Sequence, residues 1–145
     1  MRPILTMTLT LGIAATAAFA HVGVKDPQVM ARMTGMKTMA GDLKTLGQMA
    51  KGVTPYDAEA ANAALVALRS ETDRISELFA PQASDPKSEA KSNIWTDTAG
   101  FTQRTTEMTA VLDATLTSSP ADIAASMRAI GAACSACHED YRIEK

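Results

Sequence analysis

Ser119-Pro120-Ala121-Asp122 opens a stretch that closes on Cys134-Ser135-Ala136-Cys137-His138. Serine is a strong helix N-cap, proline fits the first helical position where its missing N–H is not needed, and an acid in the first turn suits the helix dipole. Ile123, Met127, Ile130, Cys134 and Cys137 then recur at spacings of three and four, so both cysteines share the apolar face of one helix. Cys134 to His138 is the CxxCH pattern of covalent c-type haem attachment. Two thiols at this spacing can add to the two vinyl groups of one porphyrin, and the adjacent imidazole then lies beneath the iron as an axial ligand. A thioredoxin-like redox pair would begin a helix after a strand, and no βαβ pattern is present. A disulfide between helical positions i and i+3 has poor geometry. Zinc lacks ligands, since His21 is the only other histidine.

Upstream the same periodicity repeats. Asp26-Pro27 starts a first helix with apolar positions Val29, Met33, Met36, Ala40, Leu43, Leu46 and Ala50, ended by Gly52 and Thr54-Pro55. A second stripe runs Leu65, Leu68, Thr72, Ile75 and Phe79 and stops at Pro81. A third runs Ile94, Thr98, Phe101, Thr105, Met108 and Leu112, weak in propensity because of its threonines. Strand signals are absent. The expected fold is all-α, an antiparallel up-down-up-down four-helix bundle enclosing one covalent haem c, with the break from Pro81 to Lys87 as its most mobile segment.

The chain has 145 residues, 46% hydrophobic but only 4% aromatic, so the core must be aliphatic and rich in its nine methionines. Fourteen Lys and Arg against 16 Asp and Glu give a net charge of −2, which offers no basic field for nucleic acid. Met1-Arg2-Pro3, a short apolar run to Ala17 and Ala18-Phe19-Ala20 read as a signal peptide over residues 1–20, cleaved before His21. Residues 21–145 are then one exported domain in the periplasm, with no stable membrane insertion.

With these residues on the page, the chain resembles a class II c-type cytochrome of the cytochrome c prime superfamily, most like the low-spin cytochrome c-556 branch. The resemblance rests on Cys134 to His138 followed by Tyr141-Arg142, on Ile94-Trp95 with Phe101, on Pro55-Tyr56-Asp57, and on Arg32 with Met36. It implies a four-helix bundle with the haem motif near the C-terminus and a distal iron-facing residue from the first helix, one turn after an arginine, which here means Met36 after Arg32. It also implies periplasmic redox proteins as partners, and the family's habit of dimerising through its first two helices leaves a homodimer open.

The residues agree with that placement. Met36 lies near the centre of the first stripe, with Met33 as the fallback ligand, and Arg32 shares its face at i and i+4. Met36 is read as the distal axial ligand, or else as core filling. Arg32 is read as a partner for a haem propionate, or else as a side chain snorkelling to solvent. Trp95 and Tyr141 either pack on the porphyrin or belong to the ordinary core. Arg142, four residues after His138, either tunes the proximal side or complements the helix dipole. Gly47 offers room for a close approach. Neutral His138 and Met36 ligands imply electron transfer, whereas an open iron position implies nitric oxide or carbon monoxide binding. No nucleophile, base and oxyanion constellation is present, so no enzyme is expected.

Overall fold

The computed structural model describes residues 23–144. The segment read as a signal peptide and His21 lie outside the described residues. Helix α1 spans Pro27–Ala50, with the Asp26 carboxylate capping the N–H groups of Gln28 and Val29 at 2.8 and 3.0 Å. The chain reverses through Gly52, whose φ of 67° is the left-handed value that glycine adopts without strain. Helix α2 (Ala58–Asp73), capped by Asp57, is interrupted at Arg74 and resumes as the short α3 (Ile75–Phe79). A 3-10 turn (Ser92–Trp95) precedes α4 (Thr98–Asp113), and α5 (Pro120–Tyr141) starts on the Ser119 cap.

Two boundaries differ from the sequence reading. Ile94 continues the α4 stripe in register, yet it sits on the 3-10 turn, because Asp97 bonds the Gly100 N–H and so starts α4 at Thr98. The second stripe bends at Arg74 rather than running straight to Phe79.

Each long helix packs on two neighbours: α1 on α2 and α5, and α4 on the same two. That is the square of an up-down-up-down bundle. Its centre is filled by fully buried Leu46 of α1, Leu68 of α2, Leu112 of α4, and Ile123 and Ile130 of α5. The threonines that weaken α4 on paper are accommodated by back-bonding. Thr105 and Thr106 both donate to the Thr102 carbonyl, at 2.8 and 2.9 Å, so neither hydroxyl is left unsatisfied.

The segment after α3 is tied down along its length, contrary to the mobility its composition suggested. Asp85 is buried and accepts the N–H groups of Lys25, Asp26 and Lys87 at 2.8, 3.1 and 2.8 Å. Further on, Ala90 forms an isolated bridge with Arg142, and Lys91 N–H donates to the Tyr141 carbonyl at 2.9 Å. The segment is a strap that joins the start of α1 to the end of α5.

Candidate functional site

A cavity of about 460 Å³ opens between α1, α4, α5 and the strap, within the size range of small-molecule sites. Helix α5 contributes Ala133, Cys134, Cys137 and His138 to its wall, and α1 contributes Met33, Met36, Ala40 and Leu43. Phe101, Thr105 and Met108 of α4 face it, and Ser88, Glu89 and Ala90 of the strap border it. The helical face drawn from the cysteine spacing is therefore turned inward, toward the methionines of α1.

Both thiols are free and half-buried, and burial pushes both above the ordinary cysteine value. His138 sits at the rim, more exposed than the cysteines. Partial burial, reinforced by the Arg142 guanidinium and opposed by Glu89, holds its imidazole below the usual histidine value. The ring is thus kept neutral, with a lone pair for a metal, around neutral pH.

Arg32 is almost fully buried on α1, one turn before Met36. Its Nε donates to the Leu78 carbonyl at 2.9 Å, one terminal nitrogen to Ala83 at 3.3 Å and the other to Pro81. The guanidinium lies between the rings of Phe79 and Trp95, 5.0 and 5.1 Å from their centroids. The alternative of snorkelling to solvent is thereby overturned. Arg32 also borders the cavity, and three of its five N–H groups are engaged by main-chain carbonyls.

Trp95 does not line the cavity. Its indole N–H donates to the Phe79 carbonyl at 2.7 Å, and its ring covers Arg32 from behind. Tyr141 does line it, with its ring edge-on to Phe101 at 5.2 Å and its hydroxyl donating to Asp97 at 2.7 Å. Arg142 lies one residue past the end of α5 in extended backbone, so it does not share the His138 face by helical spacing. It reaches the cavity rim instead through a 2.6 Å ion pair with Glu89 of the strap. Gly47 is not a close-approach point, since a Cβ there would meet only Met127 at 3.7 Å. At Gly35 a Cβ would lie 3.1 Å from Glu71 and 3.3 Å from Leu78, which makes that the tight crossing of α1.

Sequence reasoning missed Phe79, Glu89 and Arg104 in the wall. Arg104 pairs with Asp140 and Glu107, each at 2.9 Å, and nothing local in sequence signals a contact across 36 positions.

Two free thiols one helical turn apart, a neutral imidazole beside them, thioethers on the facing helix and a mostly apolar wall suit a covalently attached haem. Among the described residues no group of three or more His, Cys, Asp and Glu could hold a bare metal ion, and no helix is long and apolar enough to cross a membrane.

Residues 27–142 match the family described as Cytochrome C'. The chain is 35% identical to a cytochrome c-556 of Agrobacterium tumefaciens, over 76% of this chain and 92% of that one. It is 36% identical to a cytochrome c-554 of Cereibacter sphaeroides, over 98% of each. A solved cytochrome c' from Rhodobacter Spheriodes superposes with a TM-score of 0.73 at 31% identity, covering 81% of this chain and 96% of that one.

Proposed function

The chain belongs to the cytochrome c' family, and from that premise we propose that it is a periplasmic electron-transfer protein whose haem iron is held between His138 on α5 and Met36 on α1. Family members carry covalently attached haem c. The observation that carries the proposal is the placement of Met36 on the wall of the cavity that Cys134, Cys137 and His138 also line. When bound, the haem supplies a one-electron couple at its iron. Cys134 and Cys137 would anchor it, while the neutral imidazole of His138 and the thioether of Met36 would hold its iron. Neither ligand brings a negative charge, which favours the reduced state and raises the potential. Met33, Leu43, Phe101 and Met108 make the cavity around Met36 largely apolar. Residues 1–20 are removed on export, so the mature chain starts at His21, and its partners are other periplasmic redox proteins.

The test is the visible spectrum of the purified protein, oxidised and reduced, with and without carbon monoxide. Sharp low-spin bands, a methionine-to-iron charge-transfer band and indifference to the gas are expected. Broad high-spin bands that shift with carbon monoxide would take Met36 off the iron and make the protein a five-coordinate gas binder. Mass spectrometry of the mature chain checks the cleavage site and the covalent haem together.

A further inference from the structure

A ligand histidine on iron is usually oriented by a hydrogen bond from its second ring nitrogen. The backbone turn that carries the ring sets its orientation as well, and His138 stands on the last turn of α5, where helices fray. Tyr141 closes this turn, three residues after His138 and four after Cys137, so it projects near the same side.

Beside the Arg104–Asp140 ion pair, a second carboxylate ties the end of α5 to the start of α4. Asp97 uses Oδ1 to cap the Gly100 N–H of α4 at 3.1 Å and Oδ2 to accept the Tyr141 hydroxyl at 2.7 Å. The approach is close enough to demand glycine: a Cβ at Gly100 would lie 2.4 Å from both Asp97 Oδ2 and the Tyr141 oxygen. We infer that Asp97, Gly100 and Tyr141 form a clasp that positions the turn bearing Cys137 and His138. None of the three is an iron ligand; they act through the helix end. The inference rests on the reading that this turn holds the haem.

The bond is charge-assisted, the stronger kind of hydrogen bond. Its two ends respond as expected. The hydrogen bond to Asp97 pushes the Tyr141 phenol up to about 12, and the same bond holds Asp97 below the ordinary carboxylate range. The phenol therefore stays a donor and the carboxylate stays an acceptor across neutral pH.

The experiment uses the haem-loaded protein and the variants Tyr141→Phe, Asp97→Ser and Asp97→Asn. Tyr141→Phe keeps the ring and loses the hydroxyl. Asp97→Ser keeps a good α4 cap and loses the second oxygen. Asp97→Asn keeps a bond to Tyr141, with donor and acceptor exchanged, and serves as the rescue. The readout is the set of electron paramagnetic resonance g-values of the oxidised haem if the wild type is low-spin, or the iron–histidine stretch of the reduced haem if it is five-coordinate. The wild-type spectrum thus judges Met36 separately from the clasp. Tyr141→Phe and Asp97→Ser should shift and broaden the signal and move the midpoint potential, with Asp97→Asn close to wild type. Signals and potential like those of the wild type in the first two variants, with or without a lower melting temperature, would overturn the inference. A wild-type chain without covalent haem would overturn it as well.

Discussion

The two walls of the cavity are built by different physics. The α5 side is wired by directional bonds: Tyr141 to Asp97, Arg104 to Asp140, Arg142 to Glu89, and Lys91 and Asn93 to the carbonyls of Glu139 and Asp140 at 2.7 and 3.1 Å. The α1 side is lined by Met33, Met36 and Leu43, with Arg32, bonded to main-chain carbonyls, at one end. Hydrogen bonds fix register, whereas methionine packing is adaptable. A wall that must present two thiols and an imidazole to fixed atoms needs register, and a wall that offers one thioether, or none, can be altered by one substitution.

Exchanging both Cys134 and Cys137 for alanine should give the largest effect, complete loss of covalent haem, read as the disappearance of the haem mass from the mature chain. Next in size is Arg32 on the methionine wall. Arg32→Met strands the carbonyls of Leu78, Pro81 and Ala83 and should cost about 3 kcal/mol in urea denaturation, since each stranded buried group costs about 1–3 kcal/mol. Arg32→Lys should recover little of this, because an ammonium lacks the planar fork that reaches three carbonyls.

Met36→Leu sharpens the contrast from the other direction. It should cost less than about 1.5 kcal/mol, as volume-conserving swaps do, while replacing a low-spin spectrum by a high-spin, carbon monoxide-sensitive one. A smaller effect belongs to the strap. Three backbone N–H groups hold Asp85 below the ordinary carboxylate value, led by Lys25 and Lys87. Its stabilising contribution is therefore present above the unfolded carboxylate pKa and is lost as pH falls through the lower folded value. Asp85→Asn should flatten the acid limb of a melting-temperature profile below about pH 4, the unfolded aspartate value. Gly35→Ala should do least, within about 1 kcal/mol of zero. The helix propensity it gains is offset by the tight contacts with Glu71 and Leu78, as equilibrium denaturation would show.

Much of the architecture was legible in local signals. Asp26-Pro27 and Ser119-Pro120 mark two helix starts where they occur, and the three-and-four spacing marks the inward faces. The start of α4 was misjudged because Ile94 fits the stripe in period, and only the Asp97 cap, a polar signal inside an apolar pattern, decides between a helix and a 3-10 turn. Helical spacing placed Arg32 on the correct face but said nothing of its carbonyl partners, which lie 46 to 51 positions away. The sequence left Trp95 between the porphyrin and the ordinary core, and its indole bonds the Phe79 carbonyl while its ring faces the Arg32 guanidinium. The clasp was out of reach for the same reason: Asp97 and Tyr141 are separated by 44 positions, and only the bundle brings them together.

The strap has one more consequence. Asp85 grips the entry to α1 at Lys25 and Asp26, and four residues later Glu89 grips the exit from α5 at Arg142 and Ile143. Four residues span at most about 14 Å, so those two ends of the bundle lie close together. A short glycine and serine linker from Ile143 to Lys25, with new termini opened in the connection of residues 51–57, would give a circular permutant in which the cavity wall stays unbroken.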